Sequence, residues 1–137
     1  MRIVMLVASN SNKPLSGFRV LVIEDEAMTL LDIADLLSSA GATITGHATT
    51  TMSALYMAKS KDFDCAVMDV KLRDGDVLPA ARIVRSRGKR IVFVTATPEM
   101  PELKTEWPDA EVLGKPATGK DVIRATAHAC KCLTAKT

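Results

Sequence analysis

Several short apolar runs in this sequence end in side chains that could do chemistry. In chain order, the residues that follow these runs are Glu24, Asp25, Asp69, Thr95 and Lys115. Short apolar runs bounded by polar residues are typical of buried strands in a parallel sheet, and ligand crevices lie beyond the carboxyl ends of such strands. We therefore expect two groups of acids, a hydroxyl and an ammonium to meet at one edge of a single sheet.

The chemistry available at that edge is that of a hard metal ion and a carboxylate nucleophile. Glu24, Asp25 and Asp69 would repel one another at close range unless a cation lay among them. Oxygen ligands without clustered His or Cys favour Mg²⁺. With the metal, a hydroxyl and an ammonium nearby, attack by a carboxylate suits phosphoryl transfer. No Ser or Cys nucleophile has an identifiable His partner, and no glycine-rich phosphate loop follows the first strand.

The elements that must position these residues are five strands alternating with helices. The predicted strands cover residues 18–24, 42–48, 63–69, 90–95 and 112–114. Alternation of strands with helices implies parallel pairing and right-handed crossovers, which is an α/β fold. Residues 71–75 are predicted to form a turn, Asp76 is expected to cap the third helix, and the last helix is expected to begin near Thr118.

Helical spacing of apolar residues also predicts which helix faces are buried. The first helix is predicted to pack through Leu30, Leu31, Ala34 and Leu37, and the second through Met52, Leu55, Tyr56 and Ala58. The segment 97–108 contains three prolines within 12 residues. Because proline removes a backbone donor and clashes with the preceding turn, we expect at most one or two helical turns there.

The length and composition indicate one soluble domain with a short extension. The chain has 137 residues, of which 47% are hydrophobic and 25% charged, with a formal charge of +2. This near balance of charge gives no reason to expect binding to nucleic acid or to an anionic membrane. A polar linker at residues 9–17 predicts an N-terminal extension over 1–17 and a domain over 18–137.

The apolar stretch at residues 3–8 is too short for a signal peptide or for insertion into a membrane. It could be a tail, an added edge strand or a handle for a partner. The three cysteines have no metal-ligand spacing with the two histidines. Reduced thiols without an export signal favour the cytoplasm.

Taken together, the Glu24-Asp25 pair, Asp69, Thr95 and the Lys115-Pro116 pair resemble the receiver domain of bacterial two-component response regulators. The resemblance covers about residues 18–133. It implies a doubly wound, flavodoxin-like sheet with strand order 2-1-3-4-5. It also implies that Asp69 accepts a phosphoryl group from a sensor histidine kinase or a histidine phosphotransferase.

The resemblance implies a role for each of the other reactive groups. Asp25, Asp69 and the backbone carbonyl of Lys71 would bind Mg²⁺ directly, and Glu24 would do so through water. Thr95 and Lys115 would bind the phosphoryl oxygens. The chain would then be a phospho-acceptor and not an enzyme, with at most self-phosphorylation from a donor and autodephosphorylation. It would act as a single-domain regulator through contacts with an unidentified downstream protein, and a homodimer is compatible with this role.

Two features depart from the receiver pattern and keep two alternatives open. Val112 stands where receivers usually carry an aromatic residue, and the proline-rich segment replaces a normal fourth helix. The first alternative is a receiver-like binding scaffold that does not depend on phosphorylation. The second is a small Mg²⁺-dependent phosphohydrolase, which would need a general acid beside the nucleophile.

Overall fold

Five parallel strands form the main sheet of the protein. The computed structural model describes residues 13–135. The strands are β1 (Arg19–Ile23), β2 (Thr43–Ala48), β3 (Cys65–Met68), β4 (Arg90–Thr95) and β5 (Glu111–Gly114). They pair in the order β2-β1-β3-β4-β5, and every pair is parallel. The predicted α/β class and the predicted strand order are confirmed.

Helices connect the strands on both faces of the sheet. They are α1 (Ala27–Ser39), α2 (Thr51–Ser60), α3 (Leu78–Ser86), α4 (Pro101–Glu106) and α5 (Gly119–Ala135). The six-residue α4 confirms the prediction of one or two turns in the proline-rich segment. The turn after Asp69 is more regular than predicted, because Lys71–Leu72 pairs with Gly75–Asp76 as a small antiparallel hairpin.

Two hydrophobic cores lie on opposite sides of the sheet, because successive strand residues point to opposite faces. Val22 and Val67 pack beneath α1 and α5, whereas Ile23, Met68 and Phe93 pack beneath α2, α3 and α4. All four residues of β3 are buried. This central strand therefore carries Asp69 on a backbone that is packed on both faces.

Two of the predicted helix faces are wrong in part. Leu31 is 53% exposed, because it lies about 100° around α1 from the buried Leu30. On α2, Met52 and Tyr56 are 75% and 63% exposed. The fully buried residues of that helix are two small ones, Ala54 and Ala58. Apolar periodicity did not distinguish large exposed side chains from small buried ones.

Residues 13–17 form a turn that packs against the end of α1. Leu15 is fully buried, and its N–H donates to the carbonyl of Ala40 at 2.9 Å. Gly41 has φ +108, and a Cβ there would lie 2.8 Å from the backbone nitrogen of Ser16. The domain boundary at residue 18 stays a prediction, and the apolar stretch at residues 3–8 lies outside the described residues. Within residues 13–135, the helices are too short or too polar to cross a membrane.

Candidate functional site

The acidic residues are placed by backbone hydrogen bonds that continue the sheet past its strands. The N–H of Asp69 donates to the carbonyl of Ile23 at 2.9 Å, and the N–H of Glu24 donates to the carbonyl of Ala48 at 3.0 Å. The residues that follow β1 and β3 are thereby held side by side. This is the edge of the sheet where the sequence predicted them.

Glu24, Asp25 and Asp69 form a compact carboxylate cluster. One carboxylate oxygen from each residue lies within 4.8 Å of the others. The side chain of Glu24 is 1% exposed, whereas that of Asp69 is 11% exposed. Three carboxylates this close disfavour one another's charged forms unless a cation compensates for them.

Lys115 supplies one such cation. Its Nζ lies 2.6 Å from Oε1 of Glu24 and 2.9 Å from Oδ2 of Asp69. The lysine follows β5 and is positioned by its backbone N–H, which donates to the carbonyl of Thr95 at 2.8 Å. The peptide bond between Lys115 and Pro116 is cis. One ammonium against three carboxylates leaves the cluster with a net negative charge.

The protonation behaviour of the ion pair reflects its burial. Removal from water raises the pKa of Glu24 to about 7, although the Lys115 ammonium acts in the opposite direction. For Lys115, burial lowers the pKa, but hydrogen bonds to Glu24 and Asp69 outweigh that effect and the pKa lies above its ordinary value. The buried carboxylate is therefore incompletely compensated by the lysine alone.

Thr95 ends β4 and is almost fully buried, with 1% of its surface exposed. Its Oγ1 accepts a hydrogen bond from the N–H of Thr97 at 3.1 Å and lies 3.2 Å from Oγ1 of Thr97. The Thr95 hydroxyl is therefore held by Thr97, in the loop that follows β4. To reach a group bound at Asp69, it would exchange these contacts for a new one.

Lys71 lies in the hairpin two residues after Asp69. The hairpin is anchored at both ends, since the N–H of Val77 donates to the carbonyl of Val70 at 2.8 Å. Oδ1 of Asp74 accepts the N–H and the hydroxyl of Thr51, each at 2.9 Å. These contacts fix the hairpin that begins at Lys71, two residues after Asp69. Metal binding by the Lys71 carbonyl stays a prediction.

Val112 lies beside two aromatic residues, Phe93 and Trp107, whose contact the sequence did not predict. Val112 pairs with Phe93 across β4 and β5. The ring of Phe93 packs edge to face against Trp107, with centroids 5.5 Å apart. Trp107 lies within the proline-rich segment 97–108, which has no apolar periodicity, so no local pattern indicated that its side chain is buried.

The sequence of this chain is similar to those of known proteins. A family model described as the response regulator receiver domain matches residues 20–126. The transcriptional regulatory protein PdtaR of Mycobacterium tuberculosis is 39% identical over 80 residues, which are 57% of this chain and 38% of PdtaR. This chain therefore matches well under half the length of that relative.

Two solved structures have the same fold. The response regulator PhyR of Brucella abortus superposes with a TM-score of 0.75 at 24% identity, covering 98% of this chain and 56% of PhyR. A CheY-like response regulator receiver domain of Methanospirillum hungatei gives 0.78 at 18% identity, covering 90% of this chain and 99% of that one. With the strand order described above and the match over residues 20–126, the chain belongs to the receiver domain family of response regulators.

Proposed function

We propose that Asp69 accepts a phosphoryl group from a sensor histidine kinase or a histidine phosphotransferase. One observation carries the proposal: Asp69 lies within 4.8 Å of Glu24 and Asp25 and also contacts the ammonium of Lys115. A nucleophile, an acidic cluster for a cation and a positive group for phosphoryl oxygens meet at one point. The phosphorylated chain would signal through contacts with a downstream protein.

The oxygen donors of the cluster fit Mg²⁺, which prefers carboxylates and carbonyls. Asp25, Asp69 and the Lys71 carbonyl would bind it directly, and Glu24 would bind through water. Bound there, the ion would neutralise charge on the phosphoryl oxygens. The net negative charge left by the single ammonium of Lys115 supports a divalent cation at this cluster.

The residues of the chain then have separate tasks in the transfer. A carboxylate oxygen of Asp69 forms a bond to phosphorus as the bond from phosphorus to the donor histidine nitrogen breaks, and the imidazole leaves with the electron pair. Lys115, already 2.9 Å from Asp69, pairs with a phosphoryl oxygen. The Thr95 hydroxyl binds another phosphoryl oxygen after it leaves Thr97.

The test uses acetyl phosphate as a small donor and the intact mass of the protein as the readout. We expect the wild-type chain to gain one phosphate in Mg²⁺ and none in excess EDTA, because the acidic cluster repels the incoming anion without a cation. Equal labelling with and without Mg²⁺ would contradict the proposed metal role. Release of phosphate from acetyl phosphate that persists in Asp69→Asn would instead indicate a phosphohydrolase that does not use this acceptor.

A second prediction concerns the metal alone. Asp25→Ala removes one carboxylate ligand and leaves Asp69 in place, so we expect Mg²⁺ to bind at least ~10-fold more weakly, which is about 1.4 kcal/mol. Isothermal titration calorimetry measures this affinity without phosphorylation. Asp62→Ala, at an exposed residue away from the cluster, is the matched control. If Asp25→Ala and the control bind Mg²⁺ equally, Asp25 is not a ligand.

A further inference from the structure

A cavity lies at the opposite edge of the sheet from the carboxylate cluster. Its volume is about 510 Å³, within the range of small-molecule sites. It is formed where β4 and β5 begin, between the ends of α3 and α4 and the second half of α5. Its lining includes Arg85, Lys89, Arg90, Ile91, Trp107 and His128. None of these residues takes part in the proposed phosphoryl transfer.

Two of the acids in the lining are already paired. The carboxylate of Glu106 accepts two hydrogen bonds from Arg82, at 3.0 and 2.9 Å, and also lies 3.5 Å from Arg85. Glu111 lies 3.6 Å from Arg124. The remaining acid, Asp109, is exposed, so water screens its charge. These acids leave little negative charge to oppose an anion inside the cavity.

The cations in the lining are less completely paired. Lys89 and Arg90 are half-buried, and neither has an ion pair within the described part of the chain. Arg85 shares the carboxylate of Glu106 with Arg82. Two arginines on one carboxylate leave an excess of positive charge beside Lys89 and Arg90. The lining itself carries three cations and three acids, and Arg82 and Arg124, which pair with Glu106 and Glu111 from outside it, make five cations against three acids, a local formal charge of +2.

Trp107 supplies an aromatic wall of the cavity. Its side chain is held in place by Phe93 on one side and by the guanidinium of Arg85, 5.1 Å from the ring centroid. The residue is 6% exposed, yet its Nε1 has no hydrogen-bond acceptor among the described residues. That nitrogen has less than 1 Å² of accessible surface, so a ligand in the cavity would contact the indole ring and not this donor.

We propose that this cavity binds a small organic anion, in which a phosphate or carboxylate group is joined to an apolar or aromatic body. Lys89 and Arg90 would pair with the anionic group. Ile91, Ala129 and the Trp107 ring would contact the body. The site is separate from Asp69, so its occupancy does not depend on the proposed phosphorylation.

The experiment titrates four probes and follows the fluorescence of Trp107, the only tryptophan in the chain. Adenosine monophosphate and benzoate represent the phosphate and carboxylate forms of the ligand, adenosine lacks the charge, and inorganic phosphate lacks the body. We expect a saturable change with at least one organic anion at a Kd below about 1 mM, and at least ~10-fold weaker binding of the probe that lacks its charge or its body.

Substitutions inside and outside the cavity test whether the organic anions bind there. Lys89→Gln combined with Arg90→Gln should weaken binding at least ~10-fold, because both charges are removed. Lys104→Gln, on the exposed side of α4, and Asp69→Asn should bind as the wild type does. No saturation with either organic anion, or equal affinity in the double variant with an unchanged circular dichroism spectrum, would overturn the proposal.

Discussion

Replacing Asp69 with Asn should abolish phosphate incorporation from acetyl phosphate while the protein stays folded. The amide has the shape of the carboxylate but cannot act as the nucleophile at phosphorus. The fold should persist because Lys115 keeps its 2.6 Å contact with Glu24, and the backbone N–H of residue 69 keeps its hydrogen bond to Ile23. Intact mass after incubation with donor and Mg²⁺ gives the result directly.

Asp62→Asn is the matched control for this experiment. It makes the same chemical change at an exposed carboxylate shortly before β3, and it should be labelled as fully as the wild type. If Asp69→Asn gains the same phosphate as the control, the acceptor is another residue. That result would also remove the basis for the roles proposed for Thr95 and Lys115.

Phe93→Ala should lower the free energy of unfolding by about 3–5 kcal/mol, which is the range for removing a buried aromatic side chain. Phe93 is fully buried on β4 and packs against Trp107, whose ring would lose its edge-to-face neighbour. The tight packing of a sheet core leaves little room for the neighbours to fill the cavity. Urea unfolding followed by circular dichroism measures the change.

Tyr56→Ala serves as the comparison for the core substitution. It removes an aromatic side chain of similar size from a position that is 63% exposed, so we expect a change within about 0.5 kcal/mol. Equal destabilisation by the two substitutions would mean that Phe93 does not lie in the core as described. A similar m-value in both variants would show that the stability changed and not the surface exposed on unfolding.

Much of the fold could be predicted because its signals are local. Four-residue apolar runs such as that of β3 indicate buried parallel strands, and the prolines at 98, 101 and 108 limit the length of α4. The helix faces were less predictable. Leu31 and Tyr56 satisfy the apolar periodicity of their helices, but which side of a helix meets the sheet depends on how the whole element packs.

The sequence alone determined that the acids, Thr95 and Lys115 follow strands of one parallel sheet, since a run of apolar residues ending in a polar one is readable without contacts. Only the tertiary structure decided that the Lys115 ammonium lies between Glu24 and Asp69, which are 91 and 46 residues away in the chain. It also decided that the Thr95 hydroxyl is held by Thr97 and that Trp107 is buried against Phe93. These contacts depend on the orientation of side chains from separate elements, and no local pattern encodes that orientation.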